Sequence, residues 1–399
     1  MKNKEITASI IKKTFLTLIT ITAAICIVFS IGCQKSPRNP SLYSTEIIDG
    51  VMHIHNIAPQ FSDTPPVKLE LLGKIGKLEA EKEEDLLYDP VDVARLPNGD
   101  ILILERDGCT VKRYSKDHEY VSSFGQKGQG PGDFSYPYCL RMNENKLYVA
   151  GSRVSILSLS GDYEGGFKPE LIGGSSLHND YKTSGMAVLS GSHVILPSPP
   201  HLWIESGELK LLSIYDKSGT RIHSFCEVKP YENSFLTLNA NIVYFDKDNT
   251  DHIYAAYAHQ NKVCKYSPEG ELLFSADRPL SFEVKNVTKI EIFTSGSKEQ
   301  EIKWPSVTYV TKAVGIDHKN RLWVLTYLKQ PDRYLTFEEG ENLTDCYEFD
   351  VFDTEGILLF KVPFPNIRFD KLSLCDDRIY LIDSKHESCV YEYGIVETD

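Results

Sequence analysis

Beyond residue 90 the sequence shows almost no sustained apolar periodicity of 3.6 residues, which argues against a helical bundle. Basic residues are also in deficit, with 43 Lys and Arg against 56 Asp and Glu and a formal charge of −13. So acidic a body repels nucleic acid and anionic head groups, and no nucleic-acid partner is expected. None of the nine cysteines stands in a C-x-x-C spacing that would suggest zinc. There is no G-x-S-x-G, no H-E-x-x-H and no cysteine nucleophile with a partner signature, so the sequence designates no catalytic residue. The glycine-rich stretch FGQKGQGPGDFSYP (124–137) lacks both the Gly-Lys-Ser/Thr sequence and the following helix that a phosphate loop requires.

What is present begins with an N-terminal export pattern. Lys2, Lys4, Lys12 and Lys13 precede an apolar run from Phe15 to Ile31, and small residues follow, as in a secretory signal peptide over 1–32. Ser-Ile-Gly-Cys (30–33) resembles the lipobox of bacterial lipoproteins, which implies that Cys33 is acylated and heads the mature chain. An uncleaved signal anchor is the alternative. Removing residues 1–32, with four lysines and Glu5, takes the formal charge from −13 to −16. Membrane contact is then expected through the lipid alone. Seven cysteines remain besides Cys33, an odd number, and most are expected to be small buried hydrophobes. Pairing of Cys375 with Cys389, or of Cys109 with Cys139, stays open.

Residues 33–66 read as a tether and N-terminal extension, and residues 67–399 as a repeat masked by uneven loops. A turn followed by a β-rich run recurs six times: NGDILILERD, NKLYVAGS, SHVILPS, DHIYAAY, NRLWVLT and DRIYLID. Downstream of each lies a pair of apolar positions three apart, such as Val111 and Tyr114 or Val263 and Tyr266. Four copies then carry a hairpin glycine, at Gly161, Gly219, Gly270 and Gly356. An apolar stretch precedes each turn and another strand follows each hairpin. The unit is four antiparallel strands, a to d, and the fold class is all-β, a six-bladed β-propeller. The last unit lacks its d strand. VKLELLGKIG (67–76) has the form of one, so an N-terminal strand is expected to complete the final blade and close the ring.

The glycine-rich stretch is then the passage between two blades. Its pattern, FG-x-x-G-x-GPG-x-F-x-x-P before a strand, turn and strand, resembles an NHL-type repeat. With the lipobox and the GVMHIHNIAP segment (50–59), the chain resembles the six-bladed β-propeller lipoproteins of Gram-negative bacteria. The pattern is sharp over 67–152; later, Ser152 to Ser155 lacks the usual Asn-x-Arg-Ile, and His118 stands where a hairpin glycine is expected. Gln34, in place of the aspartate linked to inner-membrane retention, points to the outer membrane.

In an up-and-down blade the a–b and c–d turns share one face, and here they are uniformly short. The long connections all fall among the b–c and d–a links, which marks that face as the working surface. Two of these insertions place aromatic beside polar groups: His201, Trp203 and Glu205 in one, and Arg333, Tyr334 and Phe337 in the other. Trp304 lies in the longest. Such groups suit a sugar or peptide, the ring face supplying apolar area and the polar groups fixing orientation; the bland reading is that the aromatics pin their own loops. The inner strands offer Asp92, Arg141, Tyr244 and Asp246 to a central channel. The expected function is a lipid-anchored binding or scaffolding module for a glycan, a peptide or an envelope protein, without a cofactor or metal. The alternatives are a lactonase-like hydrolase or lyase with Ca²⁺ or Zn²⁺ in the channel, or a purely structural envelope subunit. DKDNTD (246–251) reads as an a–b turn and not as a calcium loop, for it lacks the glycine and distant glutamate of an EF-hand.

Overall fold

The second strand of each repeat is the most apolar because it has a blade on either side. Ile101–Glu105, Ile253–Tyr257 and Leu322–Tyr327 are buried at every position, so their sequences run apolar without the alternation of a half-exposed strand. By contrast the outermost strand Tyr120–Phe124 exposes its three central residues. The computed structural model describes residues 38–62, 64–77, 79, 81–169, 185–198, 209–295, 298–332 and 340–398.

Residues 42–399 form one unit of six four-stranded antiparallel blades. Blade 1 runs from Pro90 to Phe124, blade 2 from Cys139 to Phe167, blade 3 from Ala187 to Glu227, blade 4 from Val243 to Asp277 and blade 5 from Thr311 to Pro363. Blade 6 takes three strands from Lys371 to Glu397 and its fourth from the other end of the chain. Val67–Ile75 pairs antiparallel with Cys389–Glu397, with Val390 opposite Ile75 and Glu397 opposite Val67. The ring therefore closes as the strand pattern predicts. Among the described residues six apolar clusters fill the six seams between blades. Trp323, 1% exposed, sits in the seam of blades 5 and 6 against Phe349 and Phe360, and its Nε1 donates to Asp317 at 2.9 Å.

The hairpin glycines serve these seams. Gly161 of blade 2 has φ 95°, and a Cβ there would lie 2.3 Å from the Phe124 ring of blade 1. Gly219, Gly270 and Gly356 meet Phe167, Phe225 and Phe274 of the preceding blades in the same way. At the closing seam the partners exchange places. His118 occupies the hairpin of blade 1 with φ 66°, and its ring fills the space over Gly73 of the N-terminal strand, where a Cβ would lie 2.1 Å away. His118 Nε2 is 2.6 Å from the Glu392 carboxylate of blade 6. The glycine-rich stretch is folded on itself as a passage between blades: Phe134 is buried, and Asp133 accepts from Gly130 N and Gln126 Nε2.

Two connections carry more structure than the sequence suggested. In the segment read as a tether, Tyr43–Ile48 and Val51–Asn56 form a hairpin whose second strand runs parallel to Leu272–Asp277, adding two strands to blade 4. Buried Ile54 and Asn56 explain this. Ile54 enters the seam of blades 4 and 5, while the Asn56 amide donates to Asp277 O and Gly356 O and accepts from Leu358 N. Gln60 N and Phe61 N then bond Leu358 O and Leu359 O of blade 5. The N-terminal segment thus binds blades 4, 5 and 6 in turn. The insertion read as a loop from Ser275 to Lys312 contains the hairpin Val287–Ser295 and Lys298–Ser306, held at its base where Asn233 Nδ2 donates to Thr288 Oγ1.

Candidate functional site

Six inner strands converge on a central channel; of the channel residues expected from sequence, Asp92, Arg141 and Tyr244 line one cavity in it, and Asp246 lines a second with Arg141. Arg141, on Cys139–Asn143, places Nη1 2.6 Å from Asp92 Oδ2 of blade 1. Asp92 is 6% exposed and fully engaged: Oδ2 also accepts from Leu140 N at 2.8 Å, and Oδ1 accepts from Ser373 Oγ of blade 6 at 2.6 Å and from Val93 N. Asp246 of blade 4 accepts from Ile316 N of blade 5 and from Lys247 N. Burial raises the Asp246 pKa, with Arg141 and the two N–H donors opposing. Burial disfavours the Arg141 cation, but Asp92, with Asp246 behind it, outweighs this and raises its pKa.

Arg141 borders a cavity on each side. One, of about 220 Å³, lies toward the short a–b turns and is lined by Arg95, Met142, Lys247 and Asp376. The other, of about 250 Å³, lies toward the b–c and d–a connections, the elaborated face. Its floor is Asp92 with Arg141, and its walls carry Tyr138, Tyr244, Tyr309, Tyr327, Lys312 and Lys371. Burial pushes the Tyr244 hydroxyl up to about 12, helped by Tyr309, so the phenol is neutral and able to donate a hydrogen bond at physiological pH. Tyr309 packs between His259 and Tyr327, with ring centroids at 4.8 and 5.7 Å. The result is a small vestibule of aromatic faces over a fixed ionic floor.

The donor set does not fit a divalent metal. The Asp92 and Asp246 oxygens are taken by protein donors, and Arg141, Lys312 and Lys371 add positive charge to the same space. Among the described residues no three His, Cys, Asp or Glu side chains are grouped to hold a metal ion. The carboxylates of the 246–251 turn are structural: Asp248 accepts from Thr250 N and His252 N, and Asp251 takes Lys247 Nζ and Ser190 N. The described cysteines are free thiols, all but Cys375 fully buried.

Trp304 is 46% exposed on the long hairpin, opposite Lys289, and lines neither channel cavity. His201, Trp203, Glu205, Arg333, Tyr334, Phe337 and Cys33 lie outside the described residues. The sequence reading missed Lys312 and Lys371. Their signal was a lysine placed at the start of an otherwise apolar inner strand, in TKAVGI and KLSLC.

No family model matches the sequence, and no curated protein does. Among solved structures, a member of the DUF4221 family from Bacteroides vulgatus is 9% identical with a TM-score of 0.53, covering 82% of this chain and 98% of that one. A candidate exported protein from Bacteroides fragilis is 11% identical with a TM-score of 0.51, covering 84% and 99%. A virginiamycin B lyase from Staphylococcus aureus is 10% identical with a TM-score of 0.44, covering 83% and 100%. At such identities the two Bacteroides likenesses are likenesses of fold. No helix among the described residues is long and apolar enough to cross a membrane.

Proposed function

We propose that this chain is an exported, lipid-anchored binding module that receives its ligand in the tyrosine-lined vestibule of the elaborated face. The observation carrying this reading is the cavity itself: four tyrosines converge from blades 2, 4 and 5 and their connections on a floor already closed by Asp92 and Arg141. Concave aromatic walls with a few fixed polar groups are what small-ligand sites consist of. A volume of about 250 Å³ suits one sugar ring or one amino-acid side chain. The metal-dependent hydrolase or lyase reading loses support, because the channel carboxylates are occupied and its surplus charge is positive. The signal-like N-terminus and the exported candidate among the fold neighbours support placement outside the cytoplasm, with Cys33 as anchor at the outer membrane.

Calorimetric titration with glycan and peptide panels tests the site. Tyr244→Ala and Tyr309→Ala should each weaken the selected ligand about tenfold, the equivalent of roughly 1.4 kcal/mol, while Trp304→Ala leaves affinity unchanged. Retained affinity in both tyrosine variants would move the site elsewhere. The anchor is tested by palmitate labelling, which Cys33→Ser should abolish.

A further inference from the structure

Lys312 is the second residue of the inner strand of blade 5 and Lys371 the first of that of blade 6, and both line the vestibule. Among the described residues no hydrogen bond or ion pair engages either ammonium. The nearby carboxylates are committed elsewhere. Asp370 accepts from Ser384 N, Ser384 Oγ and Lys385 N and pairs with Lys385 Nζ at 3.2 Å, while Asp92 is saturated as described. Asp370 is the main charge favouring the Lys312 cation, with Lys385 and Lys371 opposing; Arg106 opposes the Lys371 cation, with Asp92 and Asp89 favouring it, and Asp89 itself pairs with Arg106. Burial is the leading influence on both and lowers both pKa values. In a protein of formal charge −13, the vestibule is thus a local concentration of under-compensated positive charge. Partly desolvated cations are costly unless paired; the Lys312 ammonium lies 5.7 Å from the centre of the Phe369 ring, and a bound anion would supply the ionic partner that neither lysine has among the described residues.

We propose that the vestibule ligand is a carboxylate-bearing ring, a uronic-acid sugar, with its carboxylate between Lys312 and Lys371 and its ring face on the tyrosines. This deepens the reading of the vestibule as the binding site and rests on it. Lysine acts here as a point charge that accepts either carboxylate oxygen, and the tyrosines supply flat apolar area that a bare inorganic anion would not use.

The test is titration of the full chain in detergent micelles with glucuronate and galacturonate, with glucose and galactose, and with inorganic phosphate. The expected result is uronate affinity at least about tenfold above that of the neutral sugar and above phosphate. Lys312→Met and Lys371→Met should each lower uronate affinity more than neutral-sugar affinity and so cancel most of that preference. Wild-type protein provides a readout that needs no variant. Because both lysine pKa values lie below the ordinary lysine value, uronate affinity should decline on raising the pH before exposed lysines titrate, while neutral-sugar affinity stays level. Equal binding of uronate and neutral sugar, sensitive to Tyr244→Ala, would overturn the anionic ligand and keep the vestibule. Phosphate binding as tight as uronate would overturn the ring requirement. Uronate binding indifferent to all four variants would overturn both readings, whereas no binding of any sugar would overturn the uronate and leave the vestibule to the peptide panel.

Discussion

Asp92 joins three blades, and its replacement should cost far more than one ion pair. In Asp92→Ala the buried N–H of Leu140 loses its acceptor, a penalty of about 1–3 kcal/mol. The Ser373 hydroxyl loses its bond from blade 6, about 1 kcal/mol. Arg141 loses its carboxylate, but its side chain is 31% exposed and water recovers part of this, leaving about 1 kcal/mol. The sum, about 3–5 kcal/mol, is a large share of the net stability of a domain. Asp92→Asn should cost about 1–2 kcal/mol. Its carbonyl oxygen can still accept from Leu140 N and Arg141 while its amide donates to Ser373 Oγ; Val93 N keeps Ser373 Oγ at 3.3 Å, and the loss is the acceptor of the Ser373 hydroxyl proton. Urea denaturation followed by tryptophan fluorescence and circular dichroism, with a common m-value, gives both numbers. If Asn is as damaging as Ala, or if both cost under about 1 kcal/mol, the account of Asp92 as the tie between blades 6, 1 and 2 is wrong.

The buried pair of Arg278 and Asp350, with Nε 3.0 Å from Oδ2 and both side chains 0% exposed, should respond asymmetrically. Arg278→Met leaves Asp350 with Thr326 Oγ1 at 2.6 Å and Lys361 Nζ at 3.2 Å, for a cost of about 1–3 kcal/mol. Asp350→Leu leaves Arg278 with only the Thr311 and Thr326 hydroxyls, for about 3–5 kcal/mol. Urea midpoints in the reverse order would refute this. His55 sits between Asp277 at 2.7 Å and Glu46 at 3.0 Å, and these hydrogen bonds raise its pKa above 6.5. A raised folded-state pKa contributes stability that is present below about pH 6.5 and lost as the pH rises through the folded value. After correction for intrinsic exchange rates, amide protection of residues 43–56 should therefore fall as the pH rises from 6.5 through the raised folded value, and His55→Gln should remove that dependence. A flat wild-type profile would show that the histidine does not hold the hairpin.

Strands b and c and the hairpin glycines were legible because each answers to a local demand. A strand between two blades must be apolar at every position, as ILIL and IYAAY are, and Gly161, Gly219, Gly270 and Gly356 stand where the backbone needs a positive φ and a neighbour's phenylalanine needs room. The same local logic made VKLELLGKIG recognisable as the missing strand of blade 6. The hairpin of residues 43–56 escaped notice because its strands match no repeat position. Only Ile54 and Asn56 are buried, against blades whose residues are more than 200 positions away.

The sequence by itself thus determined the number of blades, their strand order and the face that bears the long connections, since these follow from contacts between neighbours in the chain. Only the tertiary structure decided that Arg141 closes the channel on Asp92, that His118 and Gly73 exchange roles at the closing seam, and that Lys312 and Lys371 share a cavity with four tyrosines. Closing a ring brings the inner ends of distant strands together around one axis. Desolvation and charge there depend on all six blades at once, and no single stretch of chain encodes that sum.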